Sequence, residues 1–249
     1  MKRGSSIHAA GIMLIMLFKP TPSIAQIPQK PLQNCSDCVT MYLVNQDSKL
    51  NHPFYIENHE VTWRQYIESV RSASCPLPRN HAEHPILNAE RLADDYPVTG
   101  ITIDAMQCYI AWMSRRDHVI YRLPTPDEWL YVAQRAYALS GAPKYDSGAY
   151  RSGLDEPRDA IRGGAILPAE HGARSPDGLY GLLDNAGEAT SGSQPGSDRE
   201  CQAFRVSTCT RHFVYGLRSG NSKTPFLERK YILDTYSNIY VGFRLAKDR

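Results

Sequence analysis

Residues 122–129 read RLPTPDEW, and the rest of the chain is best interpreted outward from this stretch. Thr125 is a good helix N-cap, Pro126 suits the first helical position, and Glu128 completes a T-x-x-E capping box. The Trp that ends the stretch begins an apolar stripe with i, i+3 and i+4 spacing. The pattern predicts an extended segment followed by a capped amphipathic helix that runs to about Leu139.

Similar signals predict two helices upstream. One follows Thr62, which forms a capping box with Gln65, and it continues to about Ser72. The other starts after Thr102 or Asp104 and has the clearest periodicity, because apolar residues recur at i, i+3, i+4, i+7 and i+8. These apolar residues are Ala105, Cys108, Tyr109, Trp112 and Met113.

Short apolar or alternating runs predict strands that are scattered between and after the helices. The predicted strands are residues 39–44, 53–56, 119–121, 204–206, 211–215 and 240–246. Residues 140–202 are rich in Gly, Ser, Pro and Asp and are predicted to be largely irregular. The order of elements therefore predicts an α+β fold with little regular secondary structure.

The first 25 residues have the features of a cleavable secretory signal. A basic start precedes an apolar run at residues 7–18, and small residues lead to a predicted cleavage after Ala25. The apolar run is shorter than the roughly 20 residues that a spanning helix needs, although an uncleaved anchor is the alternative. Residues 26–38 are predicted to form an extended leader, and residues 39–249 one domain.

Export would change the charge of the chain. The net charge of +2 includes Lys2, Arg3 and Lys19, which leave with the signal, so the mature chain carries about −1. Nothing in this balance suggests nucleic acid as a partner or a polybasic membrane surface. We expect a periplasmic or secreted protein with no membrane span after cleavage.

Six cysteines in an exported chain indicate disulfides. They are Cys35 and Cys38 in a C-x-x-C, and the dispersed Cys75, Cys108, Cys201 and Cys209. The number of possible pairings is too large for the sequence to select one. Cys108 lies on the apolar stripe of a predicted helix, so a buried thiol is an open alternative for it.

Several blocks of the chain together resemble the formylglycine-generating-enzyme domain, also called the sulfatase-modifying-factor domain. RLPTPDEW resembles the family's RLPT-x-x-EW signature. The other blocks lie before and after it, in the same order along the chain as in the family. The blocks are residues 54–66, 97–105, 109–112, 121–133, 181–187 and 242–244. The resemblance marks a divergent exported bacterial member, and it implies the family's α+β variant of the C-type lectin fold.

The cysteines depart from the pattern of the family's active members. Members that oxidise a sulfatase cysteine to formylglycine bind copper(I) through two closely spaced thiolates, a soft-ligand preference of that metal. Here the nearest cysteines are Cys201 and Cys209, eight positions apart, and Phe204 stands about where the first thiolate would be. We therefore expect no copper site and a Cys201–Cys209 disulfide. An active redox pair is the alternative, and Cys209 is the one catalytic candidate.

Two other blocks also depart from the family. Residues 187–192 read GEATSG in place of GNVWEW, and residues 204–208 occupy the region of the RGGSW strand without its double glycine. In the family the first of these blocks helps to bind calcium. Hard oxygen ligands for calcium remain at Asp177, Asp184, Asn185 and Glu188. A structural calcium ion is the resulting prediction, with a solvated polar turn as the alternative.

The resemblance and its departures leave an enzyme and a binding module as candidate functions. Loss of the thiolate pair and of GNVWEW favours a non-catalytic module that binds a periplasmic or membrane protein. Exported relatives of this size promote activation of the membrane kinase of type VI secretion. The alternative is an oxidative maturation enzyme, of the kind that matures a siderophore chromophore or, less in keeping with the cysteines, generates formylglycine.

Overall fold

The structure, a computed structural model, describes most of the predicted domain. The described residues are 39–45, 50–77, 94–140, 166–171, 174–183, 185–217, 227–234 and 236–249. The predicted signal and leader, including Cys35 and Cys38, lie outside these residues, as does Asp184.

The described elements are short strands and helices in separate runs, as the sequence predicts for an α+β chain. The helices are α1 (Trp63–Ala73), α2 (Ile103–Asp117), α3 (Pro126–Ser140) and α4 (Asp198–Ala203). The strands are β1 (Met41–Val44), β2 (Phe54–Glu57), β3 (Gly187–Pro195), β4 (Thr210–Tyr215), β5 (Lys230–Leu233), β6 (Val241–Gly242) and β7 (Ala246–Asp248).

The three predicted helices begin at their predicted caps. Thr62 and Gln65 form a complete capping box at α1. Thr102, rather than Asp104, caps α2 through the Ala105 N–H. At α3, the Thr125 N–H donates to the Glu128 carboxylate at 2.7 Å, and the Glu128 N–H donates to Thr125 Oγ1 at 3.2 Å.

The described strands form two sheets. One is antiparallel, with the order β1-β2-β7, and the other has the order β5-β4-β3-β6, in which only β3 and β6 pair in parallel. β6 and β7 belong to different sheets but are separated by only three residues, Phe243–Leu245. This short link holds the two sheets together, and it positions the charged cluster described below.

Three of the strand predictions are wrong in detail, and one strand lies in a run that was predicted to be irregular. Residues 119–121 are not a strand, since Ile120 is 85% exposed and only Arg122 makes a bridge, to Ala246. Residues 204–206 end α4 and form a turn, with Arg205 at a positive φ. The run 240–246 is broken into β6 and β7, and residues 187–195, predicted irregular, form β3.

The two larger apolar clusters of the described interior surround the long helices. The larger surrounds α1 and α2, with Tyr66, Tyr109 and Phe243 in ring contact at 5.5–5.9 Å between centroids. The second surrounds α3, where Trp129 stacks on Tyr215 at 5.4 Å. Gly242 lies where the first cluster meets β6, and a Cβ there would stand 2.5 Å from the Val98 carbonyl oxygen. Only glycine fits this backbone contact.

Two disulfides join described elements. Cys201–Cys209 confirms the predicted pair and links α4 to the start of β4. Cys75–Cys108 links the end of α1 to α2, so the buried-thiol alternative for Cys108 is wrong. An apolar position on a helix is compatible with either state of a cysteine, which is why the periodicity did not distinguish them.

Candidate functional site

The RLPTPDEW stretch folds into a charged joint between the antiparallel sheet and α3. Arg122 donates two parallel hydrogen bonds to the Glu128 carboxylate, both at 2.7 Å, and a third to Asp248 at 2.6 Å. His52 lies 3.0 Å from the same Glu128 carboxylate. Although burial alone would raise it, hydrogen bonds from Arg122 and Thr125 hold the pKa of Glu128 below its ordinary value. This joint is structural, because its acid is already fully engaged.

A second charged cluster lies deeper, beneath α3 and between the sheets. Arg244 donates to both oxygens of Glu188, at 2.5 and 2.6 Å, and both side chains are fully buried. The indole N–H of Trp129 donates to Glu188 at 2.9 Å. The motif tryptophan, the rewritten GEATSG block and the closing GFR block therefore meet at one carboxylate.

Arg244 also connects the two sheets. It lies in the link between β6 and β7, and its other N–H groups donate to the carbonyl oxygens of Glu57 at 3.2 Å and Tyr180 at 2.8 Å. Glu57 belongs to β2 of the first sheet, whereas Glu188 belongs to β3 of the second. A single guanidinium thus satisfies acceptors from both sheets and from the loop before β3, which contains Tyr180.

The cluster contains more buried acid than base. Glu57, Glu60 and Glu188 are fully buried around Arg244. Burial raises the pKa of Glu57 to about 8, partly offset by the Leu245 N–H and the Arg244 charge. Glu57 is consequently protonated at neutral pH. The Glu60 carboxylate packs over Gly181, where a Cβ would lie 2.5 Å from Glu60 Oε1 and φ is +72°.

The raised pKa predicts a specific pH dependence. The folded chain holds the Glu57 proton to about pH 8, whereas the unfolded chain releases it near its ordinary value of 4.5. The free energy of unfolding should therefore fall as pH rises through this window and level off above it. Glu57→Gln removes the titration and should gain stability over the native chain progressively across the window. Urea unfolding of both proteins at several pH values measures the difference, and parallel pH profiles would contradict the assignment.

The predicted calcium ligands are placed differently from a metal site. Asp177 forms an ion pair with Arg135 at 2.7 Å, and Glu188 is bound by Arg244 and Trp129. Asn185, at positive φ, accepts from the Leu167 N–H at 2.8 Å. All three are buried, so the solvated-turn alternative does not hold for them.

The described members of this set do not fit calcium as arranged. Each carboxylate faces a guanidinium, where a cation would be repelled rather than bound. In the described part of the chain, no group of three or more His, Cys, Asp or Glu side chains is arranged to hold a metal ion. Asp184 lies outside the described residues, so calcium at that loop stays a prediction.

The catalytic candidate Cys209 is bonded to Cys201, and both are buried beside Leu233 and Val206. Phe204, which replaces the first thiolate in the sequence comparison, is exposed at the end of α4. In this form Cys209 has no thiolate to offer a metal or a substrate.

These features define an α+β domain with the fold of formylglycine-generating enzymes, so the predicted fold class is confirmed. A family model described as the sulfatase-modifying factor enzyme 1-like domain matches residues 33–249. The chain belongs to this family. Comparison with curated proteins gives no match.

Solved structures share the fold at low sequence identity. PvdO from Pseudomonas aeruginosa is 15% identical, with a TM-score of 0.55 and coverage of 90% of this chain and 100% of PvdO. CarF is 14% identical, with a TM-score of 0.55 and coverage of 83% and 92%. Treponema denticola variable protein 1 is 15% identical, with a TM-score of 0.52 and coverage of 88% and 99%. These similarities show the fold alone.

Sequence reasoning missed the centre of the buried cluster. The family resemblance identifies Arg244 only as part of a closing motif, although an arginine inside the apolar run 240–246 is a signal of a buried acidic partner. Glu57 at the end of β2 carried no such signal, since acids commonly follow a strand at the surface. The exposed aromatic residues of β5 and its flank, Tyr231 and Tyr236, were also not singled out.

Proposed function

We propose that this chain is a non-catalytic binding module that acts in the periplasm or outside the cell. The observation that carries the proposal is the Cys201–Cys209 disulfide, which engages the only cysteine that the resemblance offers for catalysis. The buried acids support it as well, because Arg244 and Trp129 hold Glu188 in a structural role.

The two described disulfides are consistent with an oxidising compartment. Over the described residues, the helices are too short or too polar to cross a membrane. A signal peptide at residues 1–25 would deliver the chain to the periplasm, and N-terminal sequencing of the exported protein tests cleavage after Ala25. An N-terminus that retains the apolar run would instead indicate an anchor.

A partner in the periplasm or the inner membrane follows from the same proposal. The family resemblance suggests the membrane kinase of type VI secretion as one such partner, which the module would help to activate. Deletion of the gene in a host that encodes both proteins should reduce kinase autophosphorylation, and the native chain should restore it. Unchanged phosphorylation would remove this partner from consideration.

Catalysis is tested directly with the purified, oxidised protein. We expect no aldehyde in a cysteine-containing sulfatase peptide incubated with the chain, copper(I) and oxygen, as read by hydrazide labelling and mass spectrometry. A family member with the thiolate pair is the positive control. Aldehyde formation by the native chain that is lost in Cys209→Ser would contradict the proposal.

Metal analysis separates the module from the alternative enzyme. Stoichiometric copper or iron in protein purified from its native host would favour oxidative maturation, for which soft or redox-active metals are suited. A chain that carries calcium alone would remain consistent with a binding module, since calcium has no redox chemistry in proteins.

A further inference from the structure

The exposed apolar side chains of the described residues are concentrated on one surface. Four large apolar residues are strongly exposed: Ile120, Phe204, Tyr231 and Tyr236. All except Ile120 lie around α4 and β5, with exposed fractions of 40% for Phe204, 51% for Tyr231 and 46% for Tyr236. We call Phe204, Arg211, Tyr231 and Tyr236 the outer aromatic surface. Such clustering distinguishes an interaction site from ordinary scattered exposure.

Direct contacts join the members of this surface in two pairs, and α4 connects the pairs. Phe204 and Tyr236 are in ring contact at 5.8 Å between centroids. The Arg211 guanidinium lies 4.7 Å from the centroid of the Tyr231 ring and donates to Glu200 at 2.6 Å. Glu200 is on α4, whose last turn leads to Phe204. The two halves of the surface are therefore joined through α4.

The covalent frame beneath the surface holds it in place. The Cys201–Cys209 disulfide ties α4 to β4, and Leu233 of β5 packs against it. Ser197 and Glu200 form a capping box that fixes the start of α4. An aromatic surface ordered before binding loses less conformational entropy when a partner docks.

The charged side chains around the outer aromatic surface, which form its rim, indicate the kind of partner that fits it. Arg211 is neutralised by Glu200, and Lys230 by Glu228. Arg199 and Arg205 are exposed, and no ion pair engages either of them within the described part of the chain. Arg229, which lies over the Phe213 ring, is a further cation, and the other acids of this region are Asp198 and Asp234, which accepts from the Thr210 N–H. Residues 197–212 and 227–236 therefore carry five cations against four acids, a small excess of positive charge. Arginines of this kind favour carboxylates, which they bind in a bidentate manner.

The strand order indicates the shape of the partner. β5 is the outermost strand of its sheet among the described residues and pairs with β4 alone. Tyr231 stands on β5 directly opposite Phe213 of β4, on the face that also carries Arg211. An extended chain can follow an outer strand while its alternate side chains reach the aromatic rings.

We propose that the outer aromatic surface binds an extended, acidic segment of a partner protein. Tyrosine and arginine are among the side chains that most often dominate binding energy at protein interfaces, and phenylalanine is enriched there. Carboxylates of the segment engage Arg199 and Arg205, while its apolar side chains cover Phe204, Tyr231 and Tyr236. This inference names the surface used in the proposed function and rests on it.

A fluorescently labelled peptide of alternating glutamate and tyrosine is the test probe, with fluorescence anisotropy as the readout. The native chain should bind it, and binding should weaken as salt is raised. Phe204→Ser combined with Tyr236→Ser, and separately Arg205→Glu, should each weaken binding about tenfold or more. Circular dichroism and disulfide mapping show whether each variant is folded.

Ile120→Ser supplies the control, because it removes an even more exposed apolar side chain outside the outer aromatic surface and should leave binding unchanged. Peptides with glutamine or lysine in place of glutamate should bind at least about tenfold more weakly. Equal binding of the glutamine peptide, or equal loss in Ile120→Ser, would overturn the proposal. Tighter binding of a single-stranded oligonucleotide than of the acidic peptide would also overturn it, in favour of a general polyanion site.

The outcome is separable from that of the proposed function. A chain that forms no aldehyde yet ignores the acidic peptide would remain a non-catalytic module whose docking surface lies elsewhere. A chain that binds the peptide and also forms aldehyde through Cys209 would retain this surface and lose the proposed function.

Discussion

Arg244→Met is expected to lower the free energy of unfolding by about 3–5 kcal/mol, the cost of breaking a buried ion pair from one side. Glu188 would remain fully buried, and of its donors among the described residues only the Trp129 N–H would be left. The carbonyl oxygens of Glu57 and Tyr180 would lose their donor at the same time. Urea unfolding followed by tryptophan fluorescence measures the change, and the folded yield gives a second readout for a variant too unstable to titrate.

Two further variants test whether burial of the ion pair causes the large loss of stability in Arg244→Met. Arg64→Met removes an arginine that pairs with Asp95 at the surface, where both side chains are about two-thirds exposed, and it should cost less than about 1 kcal/mol. The double variant Arg244→Met, Glu188→Gln leaves no ion of the pair and should recover part of the loss. A cost for Arg244→Met no larger than that for Arg64→Met would show that the cluster is not structural.

The parts of the fold that are encoded locally could be predicted from the sequence. Thr62, Thr102 and Thr125 cap their helices through neighbours three residues away, so a short window contains both the donor and the acceptor. The Cys201–Cys209 pair is also local, with a sequence separation of eight. Such contacts do not depend on how distant segments come together.

Elements that depend on distant partners were missed. β3 reads GEATSGSQP, which lacks the alternation of a half-buried strand. Its first four residues are buried because β4 and β6 flank them and Arg244 neutralises Glu188 from 56 positions away. Conversely, residues 204–206 looked like a strand, yet the disulfide at Cys201 and the positive φ of Arg205 end the helix in a turn.

The candidate site shows the same difference between what local sequence predicts and what depends on distant contacts. The sequence identified Glu188 and Cys209 as candidates, but their partners decided what they do. A carboxylate in a loop suggests a metal ligand, whereas the same carboxylate between a guanidinium and an indole N–H is part of the core. The departures from the family pattern are therefore visible in the sequence. The roles that Glu188 and Cys209 have instead depend on tertiary contacts, which the sequence does not show.

The alanine pair Cys75→Ala, Cys108→Ala is expected to lower the free energy of unfolding by about 4 kcal/mol, since that disulfide closes a loop of 33 positions. The Cys201–Cys209 disulfide closes a loop of only 8 positions, so its loss in the variant Cys201→Ala, Cys209→Ala should cost about 2.5 kcal/mol. Alanine is preferred to serine because Cys75, Cys201 and Cys209 are buried. Urea unfolding of both pairs, without reductant, compares the two costs.

The two disulfides should differ more in function than in stability. Loss of Cys75–Cys108 removes the covalent link between α1 and α2, which still pack together in the core. This link is far in sequence from the outer aromatic surface, so the folded fraction should still bind the acidic peptide. Loss of Cys201–Cys209 releases α4 and with it Phe204, so peptide binding should fall at urea concentrations where the protein remains folded. Hydrogen exchange should then rise in residues 197–206 and remain low in β4. Equal protection of residues 197–206 in both variants would show that the capping box, rather than the disulfide, holds this surface in place.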